Sequence, residues 1–223
     1  MPDCSIEHAL ERPIRSFSED KLQRESFVER LSSALIDPSK DRATGVVIGL
    51  TGPWGCGKSS ILNLVHEHIF ENFPDALVVR FDPWLVSSGN AIIHEFLSEL
   101  LGTINQTEKM KKKLSRFASH IAEYGKYLAP FADLVTPGAS LLARSGSKLV
   151  SSELNHPESL HSLRRKIVKD LEEIGTPIIV LIDELDRVDD NEIRAIAQLV
   201  RAVMDFPNMS YLLGSGLITS SRL

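Results

Sequence analysis

The sequence predicts an α/β fold, a doubly wound and mostly parallel sheet covered by helices on both faces. Short, nearly unbroken apolar runs recur along the 223-residue chain, and segments with apolar residues at helical spacing separate them. Strands buried on both faces of a parallel sheet read as continuous apolar runs, and helices connect them. The length suits one such domain, or slightly more than one.

The predicted elements alternate along the chain. Phe27, Leu31 and Leu35 repeat at helical spacing, which indicates a first helix that ends before Asp37-Pro38. Strands are predicted at 45–51, 76–81, 178–183 and 209–213, and helices at 61–69, 89–101, 157–174 and 193–203. We divide the chain into a helical lead-in segment (1–44), the first part of the core (45–105), a helical insertion (106–155) and the second part of the core (156–223).

Composition excludes several classes of protein. The chain is 43% hydrophobic and 25% charged, which is typical of a globular domain and not of a disordered or collagen-like one. Its two cysteines cannot form a disulfide framework and include no C-x-x-C pair, so we expect a reducing compartment. No apolar run is long enough for a membrane span, and the first residues lack the apolar region of a secretion signal. We therefore expect a cytoplasmic protein.

Charge is distributed unevenly. The net charge is −5 overall, but residues 106–150 carry +5, so the remainder carries −10. A stripe with 4-3-4 helical spacing crosses this basic block: Met110, Leu114, Phe117, Ile121, Tyr124, Leu128 and Phe131. A basic amphipathic helix over 109–131 can lie on an anionic membrane or bind a partner helix. The alternative, favoured by Gly125 and Pro130, is a helix packed on its own domain. Nucleic acid is not favoured, because the aromatic residues lie on the stripe and not among the lysines.

A phosphate-binding loop is the strongest motif. Gly52, Gly57, Lys58 and Ser59 match G-x-x-x-x-G-K-[ST] between a predicted strand and a predicted helix. Glycines let consecutive N–H groups point at phosphate oxygens, and the helix N-terminus favours negative charge. The lysine reaches the β- and γ-phosphates, and the Ser59 hydroxyl ligates Mg²⁺. The predicted loop is Gly52-Pro53-Trp54-Gly55-Cys56-Gly57-Lys58-Ser59-Ser60. An incidental glycine-rich turn is the alternative.

Two residues within the loop are unusual. We expect the Trp54 ring to pack against the sheet edge, with shielding of a nucleotide as the alternative. Cys56 lies at a helix N-terminus, where the pKa of a thiol tends to fall, but a small filler residue is favoured over a redox role.

Acidic residues supply the second half of the predicted site. Asp183 ends the apolar strand IIVLID, where a Walker-B aspartate orients the metal. Glu184 or Asp186 can activate an attacking water as general base. Arg187 is expected to pair with Asp186, or else to contact a phosphate on a neighbouring subunit.

Two further polar residues follow predicted strands. Asp82 faces the metal or forms a turn, and Ser215 is a candidate for sensing the γ-phosphate. The chain has no N-K-x-D motif, so ATP is favoured over GTP as the nucleotide.

In combination these motifs resemble the KAP family of P-loop NTPases. The resemblance is carried by the polar segment RPIRSFSEDKLQRESFVERL, by W-G-x-G-K in the loop, by Phe81 and Trp84 in F-x-x-W, by the string DELDR and by Pro207-Asn208 before the last strand. It covers nearly all of residues 12–214.

The resemblance implies an Mg²⁺-dependent ATPase of the additional-strand class, with a catalytic acid beside the Walker-B aspartate and a large insertion before it. It also implies a link to the inner face of membranes and, in bacteria, to phage exclusion. We further expect a protein partner or self-association. Family members usually continue past the fourth core strand, often with an acidic residue where Gly214-Ser215-Gly216 stands. We therefore expect a sheet truncated after that strand. A non-hydrolysing nucleotide-gated scaffold and an inactive fragment are the alternative functions.

Overall fold

A computed structural model describes residues 12–85, 89–105, 115–121, 123–124, 160–185, 187, 190–203 and 206–216. The helices are α1 (Glu25–Leu35), α2 (Lys58–Asn72), α3 (Gly89–Asn105), α4 (Leu160–Ile174) and α5 (Asp190–Val203). The strands are β1 (Ile36–Asp37), β2 (Arg42–Ala43), β3 (Val47–Thr51), β4 (Leu77–Phe81), β5 (Ile178–Ile182) and β6 (Met209–Ser215). Two 3₁₀ turns lie at Phe17–Glu19 and Pro83–Leu85.

The main sheet confirms the predicted α/β fold. Its four strands are all parallel and lie in the order β3-β6-β5-β4. Each strand therefore runs toward the same edge, so the loops that follow the four strands gather there. The four strands and the helices α2, α3, α4 and α5 match the predicted alternation.

Helices cover both faces of the sheet, because successive side chains of a strand point to opposite sides. In β5, Ile178, Val180 and Ile182 face a core formed with α3, α4 and α5. Ile179 and Leu181 face a second core formed with α1 and α2. This explains the unbroken apolar run in the sequence, since every residue of β5 is buried.

The strand before the phosphate loop differs from its prediction. We expected a buried strand, but β3 is only half-buried, and Val47 is 37% exposed. Ile48 and Leu50 pack against the α1–α2 core, whereas the opposite face has no comparable cover within the described residues. The strand also pairs with β6 alone among the described strands. The prediction failed because apolar side chains indicate a strand without indicating whether both faces are covered.

A small antiparallel hairpin, which the sequence did not reveal, follows α1. It consists of β1 and β2, and it lies beside the start of β6. There Asn208 adopts a left-handed conformation with φ of +62°, and its side-chain oxygen accepts a 2.7 Å hydrogen bond from the N–H of Ala43. Ser210 donates a 2.8 Å hydrogen bond to the carbonyl of Leu35. The Pro-Asn turn thus joins the lead-in region to the sheet.

The described part of the insertion is a helix at residues 115–121 and 123–124, which we call the insertion helix. Its stripe residues Phe117, Ile121 and Tyr124 are buried in the α3–α4–α5 core. Asp170 of α4 binds it through a 2.5 Å contact with the imidazole Nδ1 of His120 and a 3.0 Å ion pair with Arg116. This part of the stripe therefore packs on its own domain, as the favoured alternative predicted. Lys109, Lys111–Lys113 and Lys126 lie outside the described residues.

Within the described residues, no helix combines the length and the apolar character that crossing a membrane requires.

Candidate nucleotide-binding site

The candidate site lies at the sheet edge where the four parallel strands end. The loop from Gly52 to Lys58 follows β3, Asp82 follows β4 and Asp183 follows β5. Ser215 is the last residue of β6, which lies between β3 and β5. In open α/β sheets this edge is where ligands bind. The fold therefore brings the predicted phosphate loop and the predicted acids to the same edge.

Glycine is required at three positions of the loop. Gly55 and Gly57 have φ of +79° and +90°, a region that side chains with a Cβ rarely adopt. A Cβ on Gly52 would lie only 2.5 Å from the Cys56 sulfur atom. The exposed Cys56 side chain thus lies against Gly52, and its role as a small filler remains a prediction.

Lys58 is the first residue of α2, and its side chain lies under the loop. It is only 8% exposed, and its ammonium group donates hydrogen bonds to the carbonyls of Gly52 (3.1 Å) and Pro53 (3.2 Å). A buried ammonium group needs such partners, because desolvation of an unpaired charge is costly. The ammonium charge is therefore held inside the loop, where a phosphate group would bind.

The two serines after Lys58 have different surroundings. Ser59 is half-buried at the start of α2. Ser60 is buried, and its hydroxyl accepts a 3.3 Å hydrogen bond from the N–H of Ile14. The Ser60 side chain thus contacts the lead-in segment. Ser59 lies in the first turn of α2, directly after the loop.

Trp54 does not pack as expected. Its side chain is 78% exposed, so the prediction that it packs against the sheet edge is wrong. The loop projects beyond the strands at this point, and no described side chain covers the ring. Shielding of a bound nucleotide remains a prediction for this residue.

Strand β6 joins the loop to the acidic side of the site. The carbonyl of Ser215 accepts a 3.3 Å hydrogen bond from the N–H of Gly52, and the carbonyl of Gly214 accepts one of 3.2 Å from Leu185. A Cβ on Gly214 would lie 2.8 Å from a carboxylate oxygen of Asp183. The last residues of β6 therefore fix the phosphate loop and Asp183 relative to each other, and they leave no room for a side chain at Gly214.

Asp183 and Asp82 form the acidic side. Asp183 is 7% exposed, and one of its carboxylate oxygens accepts a 2.8 Å hydrogen bond from the N–H of Glu184. Burial raises the pKa of the Asp82 carboxyl group, the Arg80 guanidinium partly offsets this, and the charge of Asp183 adds to it. The two carboxylates therefore repel each other, and a cation between them would relieve that repulsion.

Glu184 is held in an unusual conformation. Its φ of +57° lies in the left-handed region, and its carboxylate forms a 2.7 Å ion pair with Arg187. The Arg187 guanidinium in turn lies 5.2 Å from the centre of the Trp84 ring. The expected partner of Arg187, Asp186, lies outside the described residues, and the described partner is Glu184. Trp84 thus positions Arg187, which the sequence motif did not reveal.

Sequence reasoning also missed Arg24. Its guanidinium lies beside the loop, because a Cβ on Gly57 would be 3.0 Å from the Arg24 Nη1 atom. Asp20 holds it there through a 2.8 Å ion pair and accepts a 2.6 Å hydrogen bond from its backbone N–H. The Asp-x-x-x-Arg spacing in the lead-in segment was the available signal, but such pairs are common on helices and in turns.

The donor chemistry of the site fits Mg²⁺ bound together with phosphate. Among the described residues, no group of three or more His, Cys, Asp and Glu side chains is arranged to hold a metal ion by itself. A serine hydroxyl and one or two carboxylates, completed by phosphate and water oxygens, are what Mg²⁺ takes in nucleotide sites. Ser59, Asp183 and Asp82 would supply that set.

The chain is similar to known proteins. The chain is 25% identical over 230 residues to the phage T7 exclusion protein of Escherichia coli K12, a match that covers 92% of this chain and 30% of that protein. This chain therefore spans under a third of that relative. The structure of the Aeropyrum pernix ORC1 protein in complex with DNA aligns with a TM-score of 0.38 at 11% identity, covering 88% of this chain and 39% of that one.

The chain also matches a protein-family model. The model of the KAP family P-loop domain matches residues 24–215, which include the loop, both acidic residues at the strand ends and all of β6. The chain belongs to the KAP family of P-loop NTPases.

Proposed function

We propose that this chain binds ATP with Mg²⁺ and hydrolyses it, and that its nucleotide state controls engagement of a partner. The observation that most supports the proposal is the role of β6. Consecutive residues of this strand bind the start of the phosphate loop and pack against the Asp183 carboxylate. Phosphoryl transfer requires the phosphate-binding groups and the metal-binding groups to be fixed relative to each other, because catalysis there is mainly positioning and charge stabilisation.

Each residue has a role in this proposal. The N–H groups of the loop and the Lys58 ammonium group bind the phosphates, and Ser59 and Asp183 hold Mg²⁺. The ion would neutralise charge on the β- and γ-phosphate oxygens. Glu184, or Asp186 beside it, accepts the proton of the attacking water. ATP is proposed because the chain lacks the N-K-x-D motif.

Substitution of the loop lysine tests nucleotide binding. Lys58→Ala removes the buried ammonium group, so we expect ATP affinity to fall by roughly 100-fold or more in titration calorimetry. Lys21→Ala, at an exposed position of the lead-in segment, is the matched control and should bind like the wild type. Equal ATP affinity in Lys58→Ala and the wild type would refute the nucleotide site.

A second substitution tests hydrolysis. Glu184→Gln should retain ATP binding and lose about 100-fold or more in turnover, which is the usual contribution of a general base. Glu172→Gln, exposed on α4, is the control. If Glu184→Gln turns over ATP like the wild type while Asp186→Asn does not, the role of base belongs to Asp186.

A non-hydrolysing, nucleotide-gated scaffold is the second candidate function. The observation that favours it is the ion pair between Glu184 and Arg187, which occupies the proposed base. This candidate predicts ATP binding that depends on Lys58, with no turnover in the wild type. An inactive fragment would neither bind nor hydrolyse ATP, so the same two measurements separate all three functions.

We further propose a role in phage exclusion, supported by the name of the relative in Escherichia coli. Expression of the chain in that host should lower the plating efficiency of phage T7, and Lys58→Ala should restore it. Equal plating with both variants and with an empty vector would count against this role.

A protein partner or a second copy is the proposed target of the nucleotide-driven change. An anionic membrane contacting 109–131 is the alternative, and it is weakened because Phe117, Ile121 and Tyr124 are buried in the domain core. Flotation with vesicles containing anionic lipid tests it. Association that is lost when Lys111–Lys113 are replaced by alanine would favour the membrane over a protein partner.

A further inference from the structure

A second concave site lies where the lead-in segment meets α2 and β4. It is a cavity of about 770 Å³, lined by Arg12, Arg15 and Glu19 from the lead-in segment, by Asn63 and His66 from α2, and by Arg80 from β4. Cavities of about 300–1,000 Å³ accommodate small molecules. Arg80 also acts on the nucleotide-binding site, because its charge lowers the pKa of the Asp82 carboxyl group.

The lead-in segment forms one wall because it is bound along α2. The Asn63 amide donates a 2.8 Å hydrogen bond to the carbonyl of Ile14, and the N–H of Phe17 donates one of 2.7 Å to Glu67. The segment therefore continues from Arg24, beside the phosphate loop, along the helix to this cavity.

Arg80 forms the opposite wall and has a fixed orientation. Its Nη1 donates a 2.7 Å hydrogen bond to the side-chain oxygen of Asn63, which is itself held by Ile14. A guanidinium carries five N–H donors, so this bond leaves others to face the cavity. Asn63 thus orients Arg80 and joins both walls.

Positive charge dominates the cavity. None of its three arginines forms an ion pair with a carboxylate in the part of the chain that the structure describes. Burial lowers the pKa of His66, and the charge of Arg80 lowers it further, so the arginines supply the charge at neutral pH. Glu19 is the one acid, and its carboxylate accepts a 3.0 Å hydrogen bond from the N–H of Arg15.

We propose that this cavity binds a phosphate ester that carries free hydroxyl groups, such as a sugar phosphate or a nucleoside monophosphate. Arg12, Arg15 and Arg80 bind the phosphate group, since guanidinium groups match phosphate oxygens in geometry and charge. The Glu19 carboxylate accepts a hydrogen bond from a hydroxyl group. The bound ligand contacts both the lead-in segment and β4, so it holds the lead-in segment against α2.

Titration calorimetry tests the site on the full chain carrying Lys58→Ala, so that phosphate binding by the loop is strongly weakened. Ribose 5-phosphate and AMP should bind at one site, inorganic phosphate should bind more weakly, and ribose should not bind. Arg15→Gln combined with Arg80→Gln should lower the affinity for ribose 5-phosphate at least about tenfold, because two charged donors are lost. Arg30→Gln, exposed on α1, should leave it unchanged.

A second measurement needs no arginine substitution. Ribose 5-phosphate should slow amide hydrogen exchange in residues 12–19, because it joins that segment to β4. No binding of any phosphate ester at millimolar concentration would overturn the proposal. Binding of ribose as strong as that of its phosphate would also overturn it, as would binding that the double arginine variant leaves unchanged.

Discussion

Gly214 is the residue on which the contact between β6 and the acidic side depends. A Cβ at this position would meet the Asp183 carboxylate at 2.8 Å and the Leu62 side chain at 3.1 Å. Neither neighbour can yield easily, because Asp183 is anchored by its bond to Glu184 and Leu62 is buried in the core. The position therefore couples stability and function.

Gly214→Ala should destabilise the chain by about 1–3 kcal/mol, the usual cost of overpacking, and should also weaken Mg-ATP binding by displacing Asp183. Urea denaturation and ATP titration measure the two effects. Gly49→Ala is the matched control, because it lies in a strand and a Cβ there meets nothing within 4 Å. A stable Gly214→Ala variant with normal ATP affinity would contradict the proposed role of β6.

Arg187 offers a second test at the level of one residue. Its guanidinium pairs with Glu184 and lies over the Trp84 ring, so it competes with water for the proposed base. Arg187→Gln should raise ATP turnover a few-fold, and Trp84→Leu should have a smaller effect in the same direction, since it only loosens the arginine. Steady-state ATPase assays measure both.

A fall in ATP turnover in Arg187→Gln would instead assign the arginine a role in catalysis. A fall in turnover of about 1,000-fold or more in Arg187→Gln would identify Arg187 as a group that stabilises charge on the transferred phosphate. Arg194→Gln, exposed on α5, is the control for loss of a positive charge near this edge.

Among the elements, the lead-in segment links the loop to the rest of the domain through Asp20 and Arg24. The Asp20 side chain is 3% exposed. Burial by itself would raise the pKa of Asp20, but hydrogen bonds from the Arg24 backbone and side chain and from the Leu22 N–H, together with the Arg24 charge, lower it below 3.8. The folded chain therefore binds fewer protons at this group than the unfolded chain does.

It follows that Asp20 contributes stability above its ordinary pKa of 3.8, and that this contribution is lost as the pH falls through the lowered value in the folded state. Asp20→Asn should therefore reduce the loss of stability between about pH 6 and pH 3, and it should weaken ATP binding at neutral pH by releasing Arg24. Urea denaturation across this range measures the first effect. Glu29→Gln, exposed on α1, should keep the wild-type slope.

The elements also show what could be predicted from the sequence. The apolar run of β5 identified a buried strand because both of its faces are covered, and the glycine spacing of the loop identified a phosphate site because left-handed backbone requires glycine. The hairpin β1–β2 was missed because strands of two residues carry no periodic pattern. The contacts of Arg24 with Gly57 and of Trp84 with Arg187 were missed because they depend on tertiary packing, which local spacing does not encode.

Nucleotide binding should stabilise both cores of the domain. The proposed site draws on the ends of β3, β4, β5 and β6, so ATP bound there would contact elements that pack into both cores. A ligand that binds only the folded state at about 100 times its Kd adds about 2.7 kcal/mol to the free energy of unfolding. For a chain of this length, that corresponds to an increase in Tm of roughly 5–10 °C.

Thermal unfolding with and without Mg-ATP tests this expectation directly. The wild type should show the increase in Tm, Lys58→Ala should show a much smaller one, and Lys21→Ala should behave like the wild type. ATP with excess chelator should give a smaller increase than Mg-ATP, because Ser59 and Asp183 would then lack the ion they are proposed to hold. An equal increase in Lys58→Ala would mean that ATP stabilises the chain from outside the loop. The arginine-lined cavity would then be the first place to look, and Arg15→Gln combined with Arg80→Gln would show whether the nucleotide binds there.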